Sequence, residues 1–210
     1  MVGPYLLATF SAIFFVVDPI AVVPIFLAMT PQDDDAKRSS MALRAAIVSG
    51  GVLLMFALAG KLVFGLFGVT LPAFKVAGGL LLLLTSLDQL RSHSASTRTS
   101  GAEVQEGQAK DDIAIVPLGV PLLTGPGSIA TVMVLAADAT EAWQTGAILG
   151  SIVLTSVLAW ASLRAATRID HLLGATGKAV FLRIAGLLLA AVAVQFMIAG
   201  LSEAFPGWSR

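Results

Sequence analysis

Six times along this chain a nearly continuous apolar run reaches the length of a bilayer crossing. The runs cover about residues 5–30, 41–67, 71–90, 113–137, 143–166 and 178–201. A spanning helix needs roughly 20 apolar residues, within a range of about 17–25. The runs do not alternate between polar and apolar positions, so they read as helices and not as barrel strands. Only 12% of residues are charged, about half the usual share in a soluble domain. The expectation is an all-α membrane protein with six transmembrane helices, its partner surface being the lipid bilayer. The first run lacks a basic leader and continues past Asp18-Pro19, so it reads as a retained span and not as a cleaved signal peptide.

Several function classes lose support at once. The formal net charge is zero, which gives nucleic acid no electrostatic footing. There is no cysteine, and both histidines, His93 and His171, fall in polar stretches expected to be loops. A metal site inside the membrane is therefore not expected, and no cofactor is implied. The phosphate-binding pattern Gly-x-x-x-x-Gly-Lys-Ser/Thr is absent, which argues against ATP drive. No nucleophile–base pair or carboxylate pair lies in the spans, so the chain is not expected to be an enzyme.

The connections differ in kind. Residues 31–40 are short and charged, 68–70 form a tight turn, and 91–112 are the one long polar stretch, rich in Ser, Thr, Gly and Gln. That stretch reads as a mobile cytoplasmic linker. It divides the chain into residues 1–90 and 113–210, three spans each. Loops after the odd spans collect Lys37, Arg38, Arg44, Arg91, Arg98, Lys110, Arg164, Arg168, Lys178 and Arg183, ten of the thirteen basic residues. The positive-inside bias places those loops in the cytoplasm and both termini outside, on the periplasmic face in a bacterium.

The two halves carry matching marks. Lys75 and Arg183 open similar segments 108 apart (183 minus 75), and Pro19 and Pro126 lie 107 apart (126 minus 19). Three is an odd number of spans, so a second copy enters the membrane from the other side. That is an inverted repeat, common in secondary transporters.

Both prolines interrupt a span near its middle. Proline lacks a backbone donor and clashes with the preceding turn. Pro19 and Pro24 are expected to open the first span, with Asp18 as N-cap of the half that follows. In the fourth span Gly125 caps, Pro126 starts the second half, and Gly127 lets a ligand approach the backbone. Pro117 and Pro121 loosen the half before it. The inversion points the two half-helix N-termini at each other near the midplane, each with unpaired N–H groups and a partial positive charge. The neutral end, Thr124 to Ser128, suits an anion such as an amino-acid carboxylate. Asp18 suits an ammonium group, a proton or Na⁺. An acid at mid-membrane costs about 2.5–3.5 kcal/mol on insertion scales, so it needs a partner or water. Lys75 and Arg183 are expected to snorkel to the interface, Asp88 and Arg91 to form a local ion pair, and Gly50-Gly51 and Gly78-Gly79 to be close-packing points. Gln195 is expected to hydrogen-bond between helices or to face the site.

These residues resemble the MarC family of bacterial membrane proteins, which includes the SnatA-type amino-acid transporters. The resemblance covers nearly the whole chain. Its sharpest parts are residues 18–26, Asp-Pro-Ile-Ala-Val-Val-Pro-Ile-Phe, and residues 121–129, Pro-Leu-Leu-Thr-Gly-Pro-Gly-Ser-Ile. Residues 183–187 with Gln195 are similar to the family's last span. The family usually has Gly-Asn where this chain has Ala21-Val22, which removes a polar side chain from that half of the pocket. The resemblance implies six spans, discontinuous first and fourth helices, residence in the bacterial inner membrane, and small neutral amino acids as substrate. The residues it points to are Asp18, Pro19, Ala21, Pro24, Thr124, Gly125, Pro126, Gly127, Ser128 and Gln195. Alternating access, with H⁺ or Na⁺ coupled through Asp18, is the leading expectation. The alternatives are a passive channel and a structural or stress-related membrane protein that moves no amino acid. The sequence leaves room for a homo-oligomer and marks no interface.

Overall fold

A computed structural model describes residues 2–90, 105–107, 110 and 112–207. Among these residues the secondary structure is helical throughout, without strands. The helices are α1 (Val2–Val17), α2 (Pro19–Met29), α3 (Asp35–Phe67), α4 (Leu71–Leu90), α5 (Ala114–Leu123, π-helical), α6 (Pro126–Asp138), α7 (Ala142–Arg164) and α8 (Ala166–Ala204). Five segments are long and apolar enough to cross a bilayer, α1 and α2 together counting as one. The α5–α6 pair, bent by 60°, makes a sixth if it is read as one crossing.

Local chemistry sets most boundaries. The Asp34 carboxylate caps α3 by accepting from the Lys37 N–H at 2.7 Å. At its other end Gly68 takes a left-handed φ of 63°, a conformation that costs glycine no Cβ penalty. The side-chain oxygen of Gln144 accepts from the N–H groups of Thr140 and Glu141 and closes the start of α7. In α5, Val116 and Val120 are extended, and each precedes a proline that disfavours the helical region for its neighbour.

Helices α2, α3, α5, α6 and α7 share one large apolar core, with Phe26, Leu53, Leu118, Val132 and Ile152 fully buried. Helices α4 and α8 form a second, tightly packed pair. A Cβ placed at Gly79 would lie 2.7 Å from the Ala193 carbonyl, and one at Gly186 would lie 3.1 Å from the Ser86 carbonyl. Small residues let the two backbones approach, which is how helices gain contact where lipid supplies no hydrophobic drive. The outward face carries exposed Leu58, Leu62, Leu66, Leu187 and Ile198, a surface suited to acyl chains.

The last span falls where it is expected, at Ala179–Ala204, although its helix begins earlier, at Ala166, with an interruption at Gly174 (φ 57°). The structure corrects three expectations. His171 sits on that helix and not in a loop. Hydropathy finds the lipid-immersed part of a helix and is blind to its polar extension. Lys75 does not snorkel; it is buried, 2.8 Å from Asp138 and bonded to Glu203, tying α4 to the ends of α6 and α8. Of the pair Gly50-Gly51, Gly50 packs against Ser156, but Gly51 faces open space. Arg91, His93 and most of the 91–112 stretch lie outside the described residues. The far end of that stretch is tied down, since Asp112 bonds both Arg44 and the Ala114 N–H.

Candidate functional site

The first break is one residue wide. Asp18 alone separates α1 from α2 and adopts φ 48°, ψ 61°, a left-handed conformation that Asp tolerates better than most residues. Its N–H still donates to the Phe14 carbonyl at 2.9 Å, so α1 closes normally. Pro19 then starts α2 without needing a donor of its own. The Asp18 Oδ1 accepts from the Ala21 N–H at 3.3 Å and caps α2. Its Oδ2 accepts from Nε2 of Gln89 on α4 at 2.6 Å. Asp18 is 2% exposed, so a carboxyl group is held deep in the bundle by a backbone donor and a side-chain amide.

The second break is built from backbone. Gly125 caps α6 with φ −77°, ψ 168° and no side-chain bond. The first helical bond runs from the Ile129 N–H to the Gly125 carbonyl at 3.1 Å. The N–H groups of Gly127 and Ser128 therefore have no acceptor within their own helix. Thr124 turns away: its hydroxyl donates to the Ser49 hydroxyl of α3 at 2.7 Å, with both groups buried. The two breaks meet. The Ser128 hydroxyl lies 3.5 Å from the Val16 carbonyl, two residues before Asp18, at the outer limit of a hydrogen bond. Leu82 of α4 packs beside them, 2.9 Å from where a Gly127 Cβ would stand, and is itself fully buried.

Of the expected residues, Ser128 meets the first break two residues before Asp18, and the others differ in burial. Pro19, Ala21, Thr124 and Ser128 are buried, Pro24, Gly125 and Gly127 half-buried, and Pro126 exposed. Val22 is fully buried within the large core, so in place of a polar side chain it contributes packing. Gln195 stands apart. Leu182, Ala185, Leu189 and Ala193 form the buried stripe of α8, and Gln195, two residues past Ala193, is about 200° around the helix. It is exposed.

Sequence reading missed Gln89 and Ser49. A signal for Gln89 existed, because Lys75, Gly79, Leu82, Ser86 and Gln89 recur at alternating steps of four and three, the spacing of one helix face. All five are buried. The Gln89 side-chain oxygen is buried without a partner among the described residues, so this amide has an acceptor to spare beside Asp18.

A family profile described as "MarC family integral membrane protein" matches residues 3–205. The chain is 35% identical over 200 residues to a UPF0056 membrane protein of Methanocaldococcus jannaschii, covering 95% of this chain and 97% of that one. It is 34% identical to UPF0056 membrane protein YvbG of Bacillus subtilis, covering 98% of each. It is 28% identical to UPF0056 membrane protein YhcE of Escherichia coli, covering 94% and 92%. These relatives come from archaea as well as bacteria, which widens the expectation of a bacterial family. No solved structure matches.

Proposed function

The chain belongs to the MarC family of integral membrane proteins, and on that premise we propose that it is a secondary transporter of small neutral amino acids. The observation that carries this reading is the meeting of two helix breaks at one buried point. One presents a carboxyl group, Asp18; the other presents backbone N–H groups, Gly127 and Ser128. A zwitterion offers an ammonium group to the first and a carboxylate to the second. With Leu82 withdrawn, the junction between Val16, Gly127 and Ser128 becomes the binding space. Asp18 is the group through which H⁺ or Na⁺ is coupled.

Alternating access follows from an inverted repeat of residues 1–90 and 113–210, joined by a linker over residues 91–112. The α4–α8 seam supports that repeat. Gly79 approaches Ala193 and Met197, and Gly186 approaches Ser86 and Leu90. Each member maps on its counterpart by the same shift (186 minus 79, 193 minus 86 and 197 minus 90 are all 107). That shift also relates Pro126 to Pro19. A two-fold axis through the seam, lying in the membrane plane, produces this pattern of paired contacts. In this reading both termini lie outside, the odd loops are cytoplasmic, and α2 and α6 run in opposite directions from the midplane. Residence is the inner membrane of a bacterial cell.

The test is counterflow of labelled alanine in proteoliposomes. Saturable counterflow that unlabelled alanine accelerates is expected; flux without saturation points to a passive pore, and no flux with any small neutral amino acid removes the reading. In Asp18→Asn the pH and Na⁺ dependence should disappear, and an unchanged dependence takes Asp18 out of the coupling step.

A further inference from the structure

At the end of the bundle away from Lys75, the start of α3 and the α7–α8 corner line an open cavity of about 670 Å³, within the size range of small-molecule sites. Its charged walls are Arg38, Arg164 and Arg168, set against one carboxylate, Asp35. Ser39 and Thr167 add hydroxyl donors. Arg38 donates to the Thr30 carbonyl, and the Arg164 guanidinium lies 5.4 Å from the centre of the Trp160 ring. Among the described residues neither Arg164 nor Arg168 has a carboxylate within ion-pair distance. The cavity thus carries an uncompensated excess of guanidinium groups, the donors that best match phosphate.

A second hollow adjoins it. An apolar groove of about 360 Å³ runs between α3 and α7, and Trp160 lines both spaces. On α3 the polar cavity takes positions 35–39 and the groove takes 43–54, so the groove follows directly along the helix. Its α3 wall extends about 16 Å at 1.5 Å per residue. A Cβ added at Gly51 would meet no atom within 4 Å, which leaves the floor open. Ile47, Val153 and Val157 are about half exposed along it.

We propose that these joined spaces bind one anionic phospholipid, with its phosphate among Arg38, Arg164 and Arg168 and an acyl chain in the α3–α7 groove. A soluble phosphate has no use for the groove, and a zwitterionic lipid has no use for the excess positive charge. Only a ligand with both a negative head and an apolar tail matches both spaces at once. Trp160 marks the level where the two meet, the usual depth of an interfacial tryptophan. The positive-inside bias puts this end in the cytoplasmic leaflet, and basic pockets between helices on that side recognise acidic headgroups. The site is separate from the helix breaks and stands whether or not the protein moves amino acids.

Binding of dioleoylphosphatidylglycerol to the purified full chain, followed by native mass spectrometry and by thermal midpoint, tests this. The wild type is expected to retain phosphatidylglycerol over phosphatidylcholine and to melt later with it. Loss of two basic residues at about 1 kcal/mol each corresponds to roughly thirtyfold, so Arg164→Gln/Arg168→Gln should weaken binding by about that factor. Arg44→Gln, outside both spaces, should bind as the wild type does. Gly51→Phe fills the groove without altering charge and should weaken the intact lipid. Glycerophosphoglycerol, the headgroup alone, should give no thermal shift. Equal retention of phosphatidylcholine, an equal shift from the headgroup alone, or full affinity in either the double arginine variant or Gly51→Phe overturns the proposal. Should the arginine variant fail to fold, the wild-type comparison of lipids and headgroup decides alone.

Discussion

The two helix breaks solve the same problem by opposite means. Each starts a helix at a proline, buried at Pro19 and exposed at Pro126, and each leaves N–H groups without an intrahelical partner. At the first, a side chain supplies the acceptor: Asp18 caps its own helix and is gripped in turn by Gln89. The chain there stays within one 28-residue span, Val2–Met29. At the second, no side chain intervenes. Gly125 caps without a bond, α5 before it is unwound at Val116 and Val120, and the pair bends by 60°. A break that carries its own acceptor satisfies one of its own N–H groups; one made of bare backbone leaves that acceptor to come from elsewhere. For the transport role proposed above the contrast matters, because a zwitterion needs one pole of each kind.

The contrast breaks most visibly at Asp18. Asp18→Ala removes the α2 cap, worth about 0.5–2 kcal/mol. It also leaves the buried Gln89 amide without its acceptor, a further cost of about 1–3 kcal/mol. A loss of about 3 kcal/mol is expected in thermal or denaturant unfolding of the purified protein. Asp18→Asn keeps an oxygen for the cap and should lose clearly less. Equal losses in the two variants show that charge, and not hydrogen bonding, holds the first break.

A smaller effect is expected at Gly127→Val. The new side chain meets Leu82, which is fully buried and has little room to turn. Overpacking of this kind costs about 1–3 kcal/mol. Since Leu82 has little room to turn, the loss should fall within that range, and Leu82→Ala in the same chain should recover part of it. If Gly127→Val unfolds like the wild type, the second break is not packed shut by α4.

The smallest and sharpest change is Gly125→Ser, which gives the second break a side-chain acceptor like the first. The backbone there is extended, and a Cβ would meet only the Pro121 carbonyl at 3.6 Å. Serine caps better than glycine by a few tenths of a kcal/mol, so stability should rise slightly. Alanine binding, read as ligand-induced thermal shift, should weaken, since the hydroxyl competes for the same N–H groups. Stronger binding would mean that the carboxylate is held elsewhere.

Much of this is legible in the sequence. Residues 71–90 read as a span and form α4 at the same bounds, because an apolar run between a turn and a polar stretch can do little else in a bilayer. Asp18 reads as a cap and is one, since an acid directly before a proline has a local acceptor and a local reason to use it. Lys75, Gln89 and Gln195 are not legible in the same way. Each sits on a helix apolar nearly all round, where hydropathy does not say which face turns inward. Lys75 finds two carboxylates from the other half of the chain, and Gln89 finds Asp18, 71 residues away. Gln195 turns outward.

By itself, then, the sequence determined where the chain is apolar enough to cross a membrane, where two apolar stretches are interrupted, and which residues begin the helices that follow. These follow from short-range facts: the missing donor of proline, the missing Cβ of glycine, and the free-energy cost of water-loving groups in hydrocarbon. Only the tertiary structure decided that the breaks approach through Val16 and Ser128, that Leu82 packs beside them, and that Trp160 joins a basic cavity to an apolar groove. Those depend on how helices rotate and dock. In an all-apolar bundle that choice is made by small residues and a few buried polar contacts between distant parts of the chain, not by any one segment's composition.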